Sequence, residues 1–253
     1  MAVAERDMMG GLAKGLAVIE TFRPERQRQS ISAVAEASGL DRATARRCLL
    51  TLWQLGYADY DGKFFTLTPR VLRLGTACLA TMPLPQLVQP MLDELSEEIG
   101  ESSSVSILDG AEIVYVARAA QRKVMSIALM PGSRLPAYCT SMGRVLLAAL
   151  PEDEARGRLG PGPLPQRTPL TLTDPEAVMA AIARVRAEGH AVIDQEVEMG
   201  LCSIAVPLLS ARRVTVAAVN LGLPARGEPV SALCARYLPA LKRVQARMQE
   251  ILR

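Results

Sequence analysis

Apolar residues in the first third of the chain recur at helical spacing in successive segments. The first segment runs from Leu12 to Phe22, and Pro24 marks its end because proline cannot continue a helix. The second begins at Ser30, a residue type that suits an N-cap, and ends at Gly39, which can adopt the left-handed conformation. The pattern predicts two helices, the second of them short.

A third predicted helix begins at its N-cap Asp41 and continues to about Leu55. At about 100° per residue, one side of this helix is apolar and the other carries basic residues. The residues off the apolar stripe, with Arg42 at its edge, are Arg42, Ala43, Thr44, Arg46 and Arg47. The stripe itself consists of Ala45, Cys48, Leu49, Leu52 and Leu55.

After Gly56 the apolar period falls from about 3.6 residues to about 2, which indicates strands at residues 57–60 and 63–67. The Asp-Gly pair at positions 61 and 62 predicts a type I′ hairpin, because both central residues of that turn have positive φ. Three helices followed by a hairpin predict a winged helix-turn-helix. In that fold the third helix enters the major groove of DNA and the hairpin lies along the backbone.

Operator DNA is therefore the predicted partner of this region. Arginines at the start of the third helix can bind guanine edges and phosphates. For any single arginine the alternative is a solvated surface residue. The candidate DNA-contacting residues are Ser30, Asp41, Arg42, Ala43, Thr44, Arg46, Arg47 and Lys63.

A further helix is predicted from Thr68, an N-cap followed by Pro69, towards Leu79. Its apolar residues spread too widely for one small domain to cover, which predicts self-association of two chains. Two prolines in the stretch Thr81–Pro85 mark a domain boundary. The predicted organisation is a tail at 1–10, a winged helix-turn-helix at 11–68, a linker helix and hinge at 69–84, and a second domain at 85–253, for which the family resemblance described below implies effector binding.

Helices and strands alternate irregularly after the boundary, and this pattern predicts an α+β domain with a largely antiparallel sheet. An Asp-Gly pair at positions 109 and 110 predicts a second hairpin. Helices are predicted at residues 86–99, 141–150 and 175–188 and from 231 onward. Strands are predicted at residues 102–108, 112–118, 123–129, 191–194, 203–208 and 214–221.

Composition narrows the classes of function. Residues 1–80 hold 11 basic and 8 acidic residues and so account for the whole net charge of +3, since the remainder holds 18 of each. The five cysteines are too scattered for a disulfide framework or a metal knuckle. No window approaches about 18 uninterrupted apolar residues. We therefore expect a cytoplasmic protein without a membrane segment, a metal or a cofactor, and not an enzyme.

Several stretches resemble the IclR-type bacterial transcriptional regulators. The run ISAVAEASGLDRATARR at residues 31–47 and LGY at 55–57 are similar to the DNA-binding domain of that family. The runs GSRLPAYCTSMGRVLLA at 132–148 and DQEVEMGLCSIAVP at 194–207 are similar to its Pca/Pob branch, which regulates protocatechuate and 4-hydroxybenzoate catabolism in the β-ketoadipate pathway. The resemblance covers nearly the whole chain.

The resemblance implies a GAF-like effector domain that binds a small organic acid, and homodimers or homotetramers that act on operator DNA. Effector binding would then change operator affinity or contacts to RNA polymerase. In the family, the effector pocket is lined by the strand-to-helix turn that matches Thr140, Ser141 and Met142, and by later strands. Ser203 aligns with a cysteine that contacts the ligand in the glyoxylate-pathway member, and Asn220 aligns with a serine.

Three further positions bear on which acid would fit. Ile193 stands where the glyoxylate-pathway member has an aspartate, which makes the pocket less acidic and favours an aromatic ring, with protocatechuate or 4-hydroxybenzoate as the expected effector. At Cys202 the family pattern has an arginine, so no carboxylate contact is carried over to that position. Arg134 is instead the candidate carboxylate partner, because a guanidinium binds a carboxylate in bidentate fashion.

Each of these assignments has a structural alternative. Arg134 is also explained by pairing with an acid or a loop carbonyl, and Ser141 by capping the helix that follows it. Asp194 and Glu196 are second choices for the pocket and are also explained as solvent-facing turn residues.

Three other functions stay open at this point. One is an IclR-type regulator that responds to a non-aromatic organic acid. Another is a hydrolase with Cys139 or Ser141 as nucleophile and His190, the single histidine, as base. The third is a nucleoid-type DNA-binding protein whose second domain serves only for oligomerisation.

Overall fold

The computed structural model describes residues 5–121 and 129–252. The chain divides into two compact units between Thr81 and Met82. The strand predicted at residues 123–129 falls, apart from Leu129, outside the described residues.

The first unit is a winged helix-turn-helix, which confirms the predicted fold. Its three strands form a small antiparallel sheet in the order β1-β3-β2. The elements in chain order are α1 (Gly10–Glu20), β1 (Arg28–Gln29), α2 (Ile31–Ser38), α3 (Arg42–Gln54), β2 (Ala58–Tyr60), β3 (Phe65–Leu67) and α4 (Leu72–Thr81), the last preceded by a 3₁₀ turn at Pro69–Val71.

Local hydrogen bonds define the turn between α2 and α3. The Ser30 hydroxyl accepts from the backbone N–H of Ala33 at 3.3 Å and so caps α2. Gly39 ends that helix with φ +68°, a conformation that a Cβ would strain. The Asp41 carboxylate accepts from the backbone N–H of Thr44 at 2.9 Å and caps α3. All three predicted signals of this turn are confirmed.

The core of this unit is small and leaves part of α1 uncovered. Leu12 and Leu16, which belong to the predicted stripe of α1, are exposed. The first unit therefore presents more apolar surface on α1 than its own core covers. The buried core residues are Val18, Val34, Ala45, Leu49, Leu52, Ala58 and Phe65.

The second unit combines one six-stranded sheet with five helices among the described residues. Two of its short elements, β6 and α7, were not predicted, and α7 buries only Ala155. The elements are α5 (Pro83–Ile99), β4 (Ser102–Asp109), β5 (Glu112–Ala119), β6 (Arg134–Pro136), α6 (Ser141–Ala148), α7 (Glu152–Leu159), α8 (Pro175–Glu188), β7 (Ala191–Asp194), β8 (Leu201–Leu209), β9 (Thr215–Pro224) and α9 (Val230–Ile251).

The sheet has the strand order β6-β5-β4-β9-β8-β7, and every neighbouring pair is antiparallel. Helices α5 and α9 pack on one face, and α6 and α8 contribute to the core on the other. Side chains along β4 point alternately to the two faces of the sheet. Ser103 donates to the Leu92 carbonyl of α5 on one face, and Ser106 donates to the Met142 sulfur of α6 on the other. The predicted α+β class with an antiparallel sheet is confirmed.

No single helix among the described residues is long and apolar enough to cross a membrane. One bent pair of helices, Pro69–Cys78 with Pro83–Ile99, is long and apolar enough when the two are taken together and only length and composition are considered. In the second unit, however, Val88, Leu92 and Leu95 of that pair lie in the protein core.

Candidate DNA-binding surface and effector cavity

The capped start of α3 presents basic side chains to solvent. Arg42, Arg46 and Arg47 are exposed, while Ala45 and Leu49 on the opposite side are buried in the core. Because α3 packs its apolar stripe against α1 and α2, its basic side is fixed facing outward. The surface is therefore a rigid helix face with three exposed guanidinium groups.

Thr44 does not belong to this exposed face, contrary to the sequence-based prediction. Its side chain is only 6% exposed, and its hydroxyl accepts a hydrogen bond from Arg47 at 3.2 Å. Thr44 lies beside Ala45 at the border of the apolar side of α3, and both residues are buried. Thr44 is thus placed to orient Arg47 rather than to lie on the DNA-facing surface.

The hairpin that follows α3 forms the wing, with a turn that differs from the prediction. The loop holds the four residues from Asp61 to Phe64, and Asp61 does not have the positive φ that a type I′ turn requires. Instead, the Asp61 carboxylate accepts from the backbone N–H groups of Lys63 and Phe64 at 2.9 and 2.8 Å. Arg28 pairs with the same carboxylate and lies over the Phe64 ring, which ties the wing to β1.

Lys63 projects from the wing with its ammonium 5.2 Å from the centre of the Phe64 ring. Its side chain is exposed, as Arg46 and Arg47 are on α3. Both parts of a winged helix that contact DNA therefore carry accessible cations.

In the second unit a cavity lies between the sheet and the start of α6. Its volume is about 30 Å³, whereas small-molecule sites typically measure roughly 300–1,000 Å³, so an aromatic acid enters only if the walls move apart. Larger open grooves, such as one of about 620 Å³ beside α1 and α2, lie elsewhere. The cavity is lined by Tyr115, Arg118, Leu129, Leu135, Thr140, Ser141, Met142, Val197, Leu201, Ser203, Asn220 and Gly222.

The first residues of α6 form one wall of this cavity. The cap of the helix is Thr140, whose hydroxyl accepts from the backbone N–H of Gly143 at 3.1 Å, so Ser141 is not the cap. The Ser141 hydroxyl instead accepts from the Ser203 hydroxyl at 2.8 Å. A Cβ on Gly143 would lie 2.2 Å from the Ala137 carbonyl oxygen, so the close packing of this turn requires glycine.

Two polar groups in the cavity lack partners among the described residues. Arg118 donates from Nη1 to the Ser104 hydroxyl at 2.8 Å, but its buried Nε has no hydrogen-bond partner. Asn220 is 7% exposed, and its buried Oδ1 has no partner either. Buried polar atoms are usually paired, so a cavity with two unpaired ones is suited to a ligand that supplies the missing bonds.

Electrostatics favours an anion in this cavity. Among the described residues that line it, Arg118 is the one with a formal charge. Burial lowers the pKa of Arg118 from its ordinary value, yet an arginine remains protonated at neutral pH. Within the described part of the chain no carboxylate lies within ion-pair distance of it. A bound carboxylate would stabilise this partly desolvated cation.

Arg118 was not among the predicted site residues, and a β-bulge explains why. In the register of β4 and β5, Val105 faces Ala117 and Ser106 faces Tyr115, so Val116 has no partner. Strict alternation would place Tyr115 and Arg118 on opposite faces of the sheet. The extra residue brings both to the cavity side, as bulges commonly re-aim side chains.

Arg134, the predicted carboxylate partner, lies outside the cavity. It donates to Glu112 at 2.7 Å and to Asp109 at 2.8 Å, and these carboxylates neutralise its charge. Its neighbour Leu135 lines the cavity, so alternation along β6 turns Arg134 outward. The assignment of Arg134 to the effector site is therefore wrong, and the structural alternative is confirmed.

The other predicted pocket positions divide into two groups. Thr140, Ser141, Met142, Ser203 and Asn220 all line the cavity. Ile193 faces Ser203 in the sheet register and is 2% exposed, but it does not line the cavity. Ile193 therefore acts as packing behind the wall.

Glu196, a second choice for the pocket, instead belongs to a buried ion pair that the sequence did not indicate. Its carboxylate accepts from Arg144 at 2.7 Å and from the backbone N–H of Leu172 at 3.1 Å. Arg144 also donates to the Tyr138 carbonyl at 2.9 Å. Together these bonds join α6, the loop after β7 and the segment before α8 behind the cavity wall.

The side chains that the hydrolase alternative requires are not brought together. The Nε2 atom of His190 lies 3.3 Å from the sulfur of Cys234, and Ser141 bonds to Ser203. Burial raises the pKa of Cys139 to about 11, which keeps its thiol neutral at physiological pH. Neither predicted nucleophile therefore has the predicted base as its hydrogen-bond partner.

Comparison with known families covers both units. Residues 11–62 match the model of the IclR helix-turn-helix domain. Residues 76–243 match the model of the C-terminal domain of bacterial IclR transcriptional regulators. The matches include the exposed face of α3 and all described residues that line the cavity.

Individual relatives narrow the comparison. The chain is 44% identical over 236 residues to the Pca regulon regulatory protein of Pseudomonas putida, covering 93% of this chain and 81% of that protein. It is 38% identical over 223 residues to the p-hydroxybenzoate hydroxylase transcriptional activator of Acinetobacter baylyi, covering 86% and 82%. The crystal structure of an IclR homolog complexed with 4-hydroxybenzoate, from Microbacterium hydrocarbonoxydans, is similar with a TM-score of 0.74 at 25% identity, covering 95% of this chain and 98% of that chain.

Proposed function

Since this chain belongs to the IclR family of bacterial transcriptional regulators, we propose that it controls genes of aromatic-acid catabolism in response to a small aromatic acid. The observation that carries this proposal is the cavity under α6, which is positively charged, lined by apolar and hydroxyl-bearing side chains, and furnished with two unpaired polar atoms. Its relatives include regulators named for Pca and p-hydroxybenzoate genes. The proposal contains no catalytic step.

The DNA contacts are assigned to the exposed cations of the first unit. Arg42, Arg46 and Arg47 lie on the exposed side of α3, where they would reach base edges and phosphates in the major groove, and Lys63 on the wing would bind backbone phosphate. Ala43 lies beside them and permits close approach of the helix. Ser30, Asp41 and Thr44 act indirectly, since their side chains hold the helix ends and Arg47 in place.

The effector contacts are assigned to the cavity. Ser141 and Ser203 offer hydroxyl groups, Met142 offers an apolar surface, and Thr140 fixes the start of α6. Because the cavity must widen to admit a ring, a bound effector would favour the wider arrangement of α6 and its neighbours. Linkage then requires that the same arrangement differ in its affinity for operator DNA.

Self-association is part of the proposal. Exposed leucines on α1 (Leu12, Leu16) and α4 (Leu72, Leu74) leave an apolar surface on the first unit that a second copy would cover. A homodimer or homotetramer would also place two recognition helices on two operator half-sites. A DNA-binding regulator of this kind acts in the cytoplasm.

The experiment that tests the proposal combines a thermal-shift screen with DNA binding. Full-length protein is heated with benzoate, 4-hydroxybenzoate, protocatechuate and non-aromatic dicarboxylates, because a ligand of the native state raises the melting temperature. Fluorescence anisotropy then measures binding to promoter DNA of the host's aromatic-acid genes with and without the ligand. A selective shift together with changed DNA affinity is expected. If only non-aromatic acids raise the melting temperature, the proposal of an aromatic effector is wrong and the effector is a non-aromatic acid.

A further inference from the structure

The two unpaired polar groups of the cavity lie in one row across three strands. In the sheet register, Ser104 of β4 faces Arg118 of β5 on one side and Asn220 of β9 on the other. Directly paired residues of neighbouring antiparallel strands point to the same face. Arg118 and Asn220 therefore stand at opposite ends of one row, with the small Ser104 between them.

The chemistry of the two ends differs. Arg118 is a donor with a positive charge, and among the residues that the structure describes its Nε has no hydrogen-bond partner. Asn220 carries an unpaired acceptor, Oδ1, at the other end. A guanidinium prefers a carboxylate, whereas an amide oxygen can accept from a hydroxyl but repels a carboxylate. The row is thus polarised, with an anion site at one end and a hydroxyl site at the other.

Apolar side chains flank this row of polar groups. Two strand spacings separate the backbones of β5 and β9 by roughly 9.6 Å, and Arg118 reaches across part of that distance to the Ser104 hydroxyl. Tyr115 and Met142 supply apolar surface to the same cavity. Once the cavity has widened, a benzene ring with polar substituents at opposite positions would present an anion to one end of the row and a hydroxyl to the other.

We propose that the cavity orients an aromatic acid with its carboxylate on Arg118 and a ring hydroxyl on Asn220, so that Asn220 selects hydroxylated acids over benzoate. This inference rests on the proposed function and deepens it, since it names the chemical class of the effector and the residues that distinguish it from close analogues. Ser104 supports the anion end by holding Nη1 of Arg118.

Calorimetric titration of the full-length protein tests the orientation with three matched ligands: 4-hydroxybenzoate, benzoate without the hydroxyl, and 4-hydroxybenzamide without the charge. Wild type is expected to bind 4-hydroxybenzoate about 10-fold more tightly than benzoate, because benzoate leaves Asn220 Oδ1 unpaired. In Asn220→Leu, where the new side chain is similar in size, the affinity for 4-hydroxybenzoate should fall to that for benzoate. The affinity for benzoate should stay unchanged.

The other end is tested with Arg118→Met. This change should weaken the binding of 4-hydroxybenzoate and benzoate by about 10- to 100-fold and that of 4-hydroxybenzamide much less, because a neutral amide oxygen makes the weaker hydrogen bond with a guanidinium. Arg118→Lys keeps the charge and should retain part of the affinity, which guards against a variant that merely misfolds. Arg134→Met is the matched control on β6. Because the Arg134 guanidinium is already paired outside the cavity, this variant should bind all three ligands with wild-type affinity.

The outcomes separate the two proposals. If wild type binds none of the three ligands, the aromatic effector is wrong and the orientation falls with it. If wild type binds them but Asn220→Leu weakens benzoate as much as 4-hydroxybenzoate, the hydroxyl assignment is wrong while the proposed function stands. If Arg118→Met weakens 4-hydroxybenzamide as much as the acids, Arg118 is a packing residue and not the anion site.

Discussion

The arginines on α3 of the first unit differ in their pairing from a group of arginines in the second unit. On α3 of the first unit, Arg42 and Arg46 are exposed, and within the described residues neither is paired with a carboxylate. In the second unit seven arginines pair with carboxylates, among them Arg134 and the buried Arg144. Arginines of the first kind remain free to bind phosphate, whereas the charges of the second kind are already neutralised by carboxylates, of which only the Arg144–Glu196 pair is buried.

Arg118 of the second unit belongs to neither of these two groups. Among the described residues it has no carboxylate partner, like Arg42 and Arg46 of α3, but it is partly buried where they are exposed. The arginines that we propose to bind DNA or effector thus share the lack of a carboxylate partner among the described residues, which the paired arginines do not.

The largest expected effect comes from breaking the buried pair. Glu196→Gln leaves Arg144 without its carboxylate in the interior and should lower the free energy of unfolding by about 3–5 kcal/mol. The control Glu98→Gln breaks the exposed pair with Arg243 and should cost less than about 1 kcal/mol. Urea unfolding followed by circular dichroism measures both. Equal costs for the two variants would mean that the buried pair does not hold the second unit.

Fluorescence gives this experiment a second readout. Trp53, the single tryptophan, lies in the first unit. Its fluorescence should report unchanged unfolding of the winged helix in Glu196→Gln if the two units unfold independently.

An intermediate effect is expected from the exposed arginines. Arg46→Ala or Arg47→Ala should weaken operator binding by about 10- to 100-fold, since each removes a base or phosphate contact, and should leave urea stability almost unchanged. Fluorescence anisotropy with operator DNA at fixed salt measures the affinity. If both variants keep full DNA affinity, these arginines do not contact DNA. The lack of a carboxylate partner would then not mark an arginine that binds DNA.

The smallest effect is a difference in pH response between the units. Hydrogen bonds from Thr44 lower the pKa of Asp41, and Arg28 beside Asp61 lowers the pKa of that carboxyl. Their stabilisation is present above the ordinary aspartate pKa of 3.8 and is lost as the pH falls through the lowered values. The winged helix should therefore lose stability in acid, with Trp53 fluorescence as the readout.

The second unit should weaken in alkali instead. Burial raises the pKa of Tyr115 to about 12 and those of Cys139 and Cys202 to about 11. The unfolded chain loses the thiol protons from about the ordinary pKa of 9.0, so stability is full below that pH and falls as the pH rises towards the raised values. Circular dichroism should show this loss reduced in Cys139→Ala, and an unchanged alkaline profile would contradict it.

Sequence reasoning succeeded where local signals decide the structure. Ser30, Gly39 and Asp41 fix the helix-turn-helix through bonds within a few residues, and each of these could be read from residue type and spacing. The same reasoning placed Ser141 and Ser203 at the cavity only through family resemblance, because strands far apart in sequence bring them together.

The failures have a common physical cause. Arg134 and Arg118 both lie on strands beside the cavity, and only the strand register decides which of them faces it. The bulge in β5 shifts that register by one residue, and no residue type in the sequence indicates that a bulge occurs there. The Arg144–Glu196 pair likewise joins residues 52 positions apart. Thr44 was misplaced because its position on the helix lies at the border between the buried and exposed sides.

The unpaired Val116 gives this sheet a simple route to a different chemical sense. Deleting Val116 would only remove the bulge, because Ala117 would still face Val105 and Arg118 would still face Ser104. If instead the strand slipped by one residue so that Val116 paired with Val105, Ala117 would face Ser104 and Arg118 would turn towards α5, without any change in the strand order. The cavity would then lose its charge and be left with hydroxyl groups and apolar walls, while the winged helix would stay as it is.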